Sequence, residues 1–320
     1  MDSVDAQLKR LLQSDIERYG LEPHLAEIDE KGYTVVPPEL AAPAGFTDRL
    51  LDACLDVVEE RSGVRPDLES GSTHVGHQGG YHPMPPDVPD SWLGEAIPMM
   101  LGKGRIFEET LMQPTALTIA TALVGYQCVA SVSELLIKGP NETPMGLHTD
   151  TAMPAPFPPY AMSCNCFWML QDADLEGGAT AIVPGSHRRL RNPSQSSDVL
   201  DPIENSEVFP IEAKAGSLIV WHGASWHGAF PRRKPGLRVA LSYLYSRPST
   251  PVINDARRLP KEVLDRNPLR FSILTQQASP FGGTDEQSYA KQLVDAFTLT
   301  GRYIEELGIT GAPDLNSRIF

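Results

Sequence analysis

From residue 128 to residue 247 the chain is written in short β-rich runs separated by turn residues, and this texture limits the possible fold more than any other feature. Residues 129–137, 163–170, 178–183, 208–211, 217–221 and 237–245 are rich in β-branched, aromatic and small apolar side chains. Turn formers punctuate them, as in Val183-Pro184-Gly185-Ser186-His187. Short strands broken by turns point to a sandwich or jelly roll.

The flanks read differently. Leu8, Leu11, Leu12 and Ile16 recur at helical spacing, so a helix is expected over residues 3–19. Residues 32–38 read as a short strand cut off by prolines. An amphipathic helix is expected over 46–61, with Leu50, Leu51, Cys54, Leu55 and Val58 on one face. Residues 106–124 are mostly helical in pattern, and 255–310 return to helix, with Tyr289, Leu293, Phe297 and Tyr303 as packing residues. The glycines and prolines between Gly71 and Pro89 argue against regular structure and suggest a mobile lid. Without a repeat or a clear linker, one domain is expected over 1–320: a mainly β jelly-roll core at about 128–247, with helical flanks at 1–125 and 255–310.

Composition narrows the function classes. With 41% hydrophobic and 21% charged residues, the 320-residue chain should be globular. Its net charge of -14 argues against nucleic acid and against anionic membranes as partners. Four cysteines without zinc-ribbon spacing argue against a disulfide framework, and Cys164 and Cys166 would share one side of a strand. The acidic N-terminus lacks an apolar signal core and no run approaches a membrane span, so a cytoplasmic location is expected. The oligomeric state, monomer or homodimer, is left open.

His148-Thr149-Asp150 follows an apolar run, and two residues apart on a strand share a face. Such pairs are common on surface loops, but here more histidines follow, in Trp221-His222-Gly223-Ala224-Ser225-Trp226-His227-Gly228. Two imidazoles and one carboxylate form the ligand set of a non-haem iron(II) facial triad. Arg238 follows on an apolar strand, where a charge needs a partner; an antiparallel return would bring it near the distal histidine. Its two parallel donors suit a carboxylate, as on 2-oxoglutarate. The residues alone leave His222 and His227 as competing ligands. His187 reads as a structural turn residue. His74, His77 and His82 are too irregularly spaced for a second metal site; at most one would touch substrate.

The segment from about Val132 to Tyr245 resembles the phytanoyl-CoA dioxygenase family of 2-oxoglutarate oxygenases. The resemblance rests on His148-Thr149-Asp150, Trp168-Met169-Leu170-Gln171-Asp172-Ala173-Asp174-Leu175-Glu176-Gly177-Gly178-Ala179, Val183-Pro184-Gly185-Ser186-His187, Gly216-Ser217-Leu218-Ile219-Val220-Trp221-His222-Gly223, His227 and Arg238, in the family's order. It implies a double-stranded β-helix, iron(II) held by His148, Asp150 and His227, and Arg238 clamping the distal carboxylate of 2-oxoglutarate. It also implies Trp168 and Leu135 beside the cosubstrate, with Ser133 sharing Leu135's face by alternation. Where the family often carries Ser two residues after the distal histidine, this chain has Ala229, one hydrogen bond fewer. The implied partners are O2 and a small organic substrate, with succinate and carbon dioxide released. Retention of Asp150 favours hydroxylation over halogenation, while desaturation, ring formation and epimerisation use the same triad.

The segment after the metal pair is apolar and proline-rich, so Met153, Phe157 and Tyr160 are expected at the substrate pocket with His82. The expected substrate is largely apolar and of the secondary-metabolite kind. An acyl-CoA substrate is the alternative, with Lys138, Arg188, Arg189, Arg232, Arg233 and Lys234 as candidate basic residues at the mouth. A non-catalytic jelly-roll binding protein and a cupin-like metalloprotein without 2-oxoglutarate are the competing classes; an intact four-residue site disfavours the first, and Arg238 the second.

Overall fold

The computed structural model describes residues 3–71, 95–151, 153–280, 283–311 and 319. Helix α1 (Val4–Tyr19) begins where the Ser3 side chain accepts from the Ala6 N–H, and ends at Gly20 with φ 63°. Its buried stripe is Val4, Leu8, Leu12 and Ile16. Helix α2 (Glu22–Lys31) leads into strand β1 (Tyr33–Val36). After the single turn α3 (Pro38–Ala41) comes α4 (Phe46–Ser62), which buries Leu50, Cys54 and Val58. Strand β2 (Glu95–Pro98) precedes α5 (Arg105–Leu111) and α6 (Pro114–Val124).

The β half follows: β3 (Val129–Lys138), β4 (Met145–His148), β5 (Ser163–Met169), β6 (Thr180–Ile182), β7 (Phe209–Ile211), β8 (Leu218–His222), β9 (His227–Ala229) and β10 (Arg238–Ser246). Among the described residues these form two antiparallel sheets, one ordered β1-β8-β5-β10-β3-β2 and the other β4-β9-β6-β7. Together they make the jelly roll expected from the sequence, with β1 and β2 of the N-terminal half extending the larger sheet at both edges. Helices α7 (Lys261–Asp265), α8 (Leu269–Leu274) and α9 (Glu286–Glu306) complete the chain.

Alternation on the larger sheet decides what faces the interior of the roll. On β5, Cys164, Cys166 and Trp168 turn outward and join the helices in the main apolar core, with Leu135, Ile137, Leu241, Tyr243 and Tyr245. Phe167 and Met169 turn inward and pack with Ile182, Ile211, Ile219, Trp221 and Ala240 between the sheets. Because both faces are covered, every residue of β5 and β10 is buried. Two tyrosines of β10 anchor a helix: Tyr243 donates to the Phe107 carbonyl at 2.7 Å and Tyr245 to the Leu111 carbonyl at 2.9 Å.

One expectation needs correction in part. In α9 Tyr303 packs inward as expected, beside Ala296 and Ile304, whereas Tyr289 and Phe297 are 54% and 67% exposed. Apart from Gly71 itself, the expected lid up to Pro89 lies outside the described residues, as do His74, His77 and His82. No described helix is long and apolar enough to cross a membrane.

Candidate active site

The metal-ligand candidates come together on the smaller sheet. His148 ends β4 and is the direct cross-strand partner of His227, which begins β9. Their rings lie 4.3 Å apart between centroids. The strand stops at His148 rather than running on through Asp150. Thr149 Oγ1 instead donates to the Thr151 carbonyl at 3.3 Å and also to Asn192 Oδ1, and the bend carries Asp150 back towards the histidines. Asp150 Oδ1 is 3.6 Å from His227 Nε2, and one ligand atom from each of the three residues lies within 4.8 Å of the others.

Each of these side chains has its other polar atom already engaged. His148 Nδ1 is 3.1 Å from the Gly146 carbonyl and His227 Nδ1 is 3.0 Å from the Ser225 carbonyl. A carbonyl only accepts, so both Nδ1 atoms carry the proton and both Nε2 atoms keep a free lone pair. Trp221 Nε1 donates to Asp150 Oδ2 at 2.8 Å, which leaves Oδ1 for the cluster. Burial, reinforced by the His227 ring, lowers the His148 pKa to about 4 and keeps that imidazole neutral at physiological pH. Neutral imidazoles with fixed tautomers and an oriented carboxylate are what a divalent metal needs.

Across the roll, Arg238 opens β10, opposite Lys138 at the end of β3. It is 4% exposed, donates one Nη1 hydrogen bond to the Gly178 carbonyl, and leaves Nε without a partner. Burial and Arg232 lower its pKa to about 10. Lys138 is more strongly affected: burial first, then Arg238 and Arg232, bring it down to about 6, while its Nζ donates to the Phe230 carbonyl at 2.6 Å. No carboxylate pairs with Arg238 among the described residues. A buried guanidinium this short of counter-charge suits an anionic ligand.

A cavity of about 220 Å³ joins the two ends. His148, Asp150, His227 and Arg238 all line it, together with Val132, Glu134, Leu136, Asn165, Phe167, Trp221, Ala229, Ser242 and Leu244. Arg238 and His227 meet there from opposite sheets; β9 pairs with β4 and β6, so the expected antiparallel return between their strands does not form.

Several expected pocket residues lie elsewhere. Trp168, Leu135 and Ser133 have the wrong parity: Phe167, Leu136 and Glu134 face the cavity, and their neighbours face the helices or the strand's outer surroundings. Ser133 uses its N–H on Asn254 Oδ1. Met153, Phe157 and Tyr160 do not line the cavity: Phe157 is buried with its N–H on the Leu190 carbonyl, and Tyr160 lies under Arg247. His82 is outside the described residues. His222 is not a ligand candidate: it accepts from the Ala224 N–H and stacks near His187, whose Nε2 meets the Asp29 carbonyl, the structural role expected of that turn. The basic residues considered for a coenzyme A mouth are committed as well. Lys138 and Arg232 are buried, and Arg188, Arg189, Arg233 and Lys234 pair with Asp29, Glu207, Glu176 and Asp174.

Missed by sequence reasoning were Glu134, Leu136, Asn165, Phe167, Ser242 and the Trp221 hydrogen bond. Arg238 held the signal for part of this, since stepping by two from it along β10 reaches Ser242 and Leu244.

Comparison with known proteins agrees with this architecture. The phytanoyl-CoA dioxygenase (PhyH) family matches residues 28–240. Dioxygenase af480 of Aspergillus fumigatus is 31% identical over 160 residues, which are 49% of this chain and 50% of that protein. Phytanoyl-CoA dioxygenase 1 of Oryza sativa subsp. japonica is 33% identical over 89 residues, 25% of this chain and 32% of that one. The chain thus aligns with half or less of the length of these curated relatives. Among solved structures, HygX from Streptomyces hygroscopicus with nickel, 2-oxoglutarate and hygromycin B bound superposes with a TM-score of 0.53 at 14% identity, over 72% of this chain and 89% of that one. The epimerase SnoN in complex with Fe3+, alpha ketoglutarate and nogalamycin RO gives 0.51 at 16% identity, over 72% and 84%. At such identities the structures establish a common fold. With two thirds of its length matched by the family and the jelly roll in place, this chain belongs to the phytanoyl-CoA dioxygenase family.

Proposed function

We propose that the chain is an iron(II)- and 2-oxoglutarate-dependent dioxygenase that hydroxylates a C–H bond of a small, largely apolar organic molecule. The assignment is carried by three free ligand atoms, His148 Nε2, Asp150 Oδ1 and His227 Nε2, converging in the same cavity as an unneutralised Arg238. The family, the name of the fungal relative and the 2-oxoglutarate named with HygX all support it.

His148, Asp150 and His227 would hold the metal, and Arg238 would take the distal carboxylate of the cosubstrate. Iron(II) with 2-oxoglutarate, when bound, supplies oxygen activation, and the overall change is R–H + 2-oxoglutarate + O2 giving R–OH + succinate + CO2. Gly146, Ser225 and Trp221 hold the ligand side chains in orientation. Val132, Leu136, Phe167 and Leu244 exclude water and accept the apolar body of the substrate. The helical flanks form part of the same unit on this reading, because one apolar core joins α1, α4, α6 and α8 to the larger sheet.

The test is anaerobic addition of iron(II) and 2-oxoglutarate, followed by oxygen and a screen of product masses. Succinate formation should require both additions. His148→Ala and Asp150→Ala should abolish it without altering the circular dichroism of the fold. Tight iron binding and full turnover in both variants would overturn the assignment.

A further inference from the structure

The cavity contains one acidic group that the proposed chemistry does not use. Glu134 lies on the inward face of β3 between Val132 and Leu136, and its carboxyl group has no hydrogen-bond or ion-pair partner among the described residues. Its cross-strand neighbour on β10 is Ser242, whose hydroxyl donates to Asn165 Oδ1 at 3.0 Å. A carboxyl, a hydroxyl and an amide therefore share one end of an otherwise apolar wall. Arg238 marks the other end, four residues earlier on β10, which at the usual strand rise is about 13 Å away.

This separation makes the cavity bipolar. Arg238 favours an acidic ligand at one end, and Glu134, when ionised, repels a second acidic group from the other. Half-burying a carboxyl without a protein partner weakens its solvation. That partial burial raises the pKa of Glu134. Ionised or neutral, the carboxyl can accept a hydrogen bond, and the Ser242 hydroxyl beside it is already committed to Asn165 Oδ1.

We infer that Glu134 is the substrate-reading residue of this cavity, accepting a hydrogen bond from a donor group, an amine or a hydroxyl, at the end of the substrate remote from Arg238. The inference rests on the oxygenase reading for which ligand occupies which end. It names the substrate class as an apolar molecule with a donor-bearing end and excludes substrates carrying a carboxylate there.

Three probes with one alkyl tail separate the possibilities: hexan-1-amine, hexan-1-ol and hexanoate. Their binding to the full chain is measured by ligand-observed NMR, anaerobically, with and without iron(II) and 2-oxoglutarate. With the cosubstrate in place, the amine or the alcohol should bind at least about ten-fold more tightly than hexanoate, the range expected for one hydrogen bond to a charged group. If the end reads a cation, Glu134→Gln should remove the amine's advantage by about ten-fold and barely change the alcohol, whose partner can be the amide oxygen. If it reads a hydroxyl, Glu134→Gln should keep alcohol binding and Glu134→Leu should weaken it by a similar factor. The affinity for 2-oxoglutarate, recorded in the same samples, reports that each variant has a formed cavity. Identical probe preferences in wild type, Glu134→Gln and Glu134→Leu would overturn the inference. Wild type that fails to bind 2-oxoglutarate would instead overturn the oxygenase reading, and that is visible without the probes.

Discussion

Arg238 separates the proposed chemistry from other uses of a His-Asp-His cluster, because a metalloprotein without a dicarboxylate cosubstrate has no need of a buried, half-partnered guanidinium. Its Nε has no acceptor and its one contact, the Gly178 carbonyl, is neutral. Arg238→Ala should cost about 2–5 kcal/mol of 2-oxoglutarate binding, roughly 30-fold to several-thousand-fold, by comparison with truncated buried charge pairs. Iron binding should be nearly unchanged, and Arg238→Lys should recover only part of the loss because an ammonium cannot make the two-pronged contact. Titration of 2-oxoglutarate into the iron-loaded proteins, followed by the metal-to-ligand charge-transfer band, measures this; equal affinities would rule Arg238 out as the clamp. Trp221 offers a second test. Its indole fixes Asp150 Oδ2, so Trp221→Phe should weaken iron binding by about 10–100-fold, the usual effect of losing a partner of a metal ligand, with the secondary structure retained. At this scale the candidate residues were legible in the sequence by type, but the residues alone left His222 beside His227, and only the order of motifs in the family resemblance pointed to the later histidine. Trp221 was not legible, since an indole that orients a carboxylate looks the same in sequence as one that fills a core.

The β4–β9 ladder is the element that sets the distance between the two imidazoles. Gly228 lies against β4, and a Cβ built there would be 2.3 Å from the Met145 carbonyl oxygen and 3.2 Å from that of Gly146. Both obstacles are backbone, so a side chain at this position has to push the strands apart. Gly228→Ala should therefore separate His148 from His227 and lower turnover by roughly 100-fold, as expected for a misplacement near 1 Å, while the larger sheet keeps its spectrum. Wild-type turnover in that variant would show that the ladder absorbs the strain elsewhere. Strand positions were readable from composition and turns, and every strand expected over residues 129–245 forms. Which face of each strand looks inward was harder to read. The family resemblance points to Trp168 and Leu135 at the pocket, and a strand covered on both sides carries no polar–apolar alternation to favour Phe167 and Leu136 over them. Two aromatics of α9, Tyr289 and Phe297, lie exposed although Tyr303 packs inward, because the inward face of this helix is set by position, through Ala296, Tyr303 and Ile304, and not by side-chain size.

On the scale of the whole molecule, the buried histidines couple the fold to pH. Burial, chiefly, lowers His222 and His148 to about 4, and it also lowers His187 and His24. In the unfolded chain these rings take up protons near pH 6.5, whereas His222 and His148 in the folded protein stay neutral until about pH 4. Between those values the unfolded state binds more protons, so stability falls as the pH drops; it is complete above about 6.5 and the loss is finished below about 4. Glu134 and Asp15, raised by burial, act in the opposite sense and blunt the curve, so one variant has to isolate the histidine contribution. His222→Asn suits this purpose, because an amide oxygen can still accept from the Ala224 N–H but cannot titrate. It also lies outside the metal cluster, so iron does not complicate the measurement. Urea midpoints of the metal-free protein at pH 7, 6, 5 and 4.5 should fall more steeply for wild type than for His222→Asn. The difference should approach about 1.4 kcal/mol per pH unit within the window, the limit for one proton excluded from the fold. Parallel curves would mean that His222 is already protonated or solvated in the folded state, and that the His187–His222 pair does not form part of a dry interior.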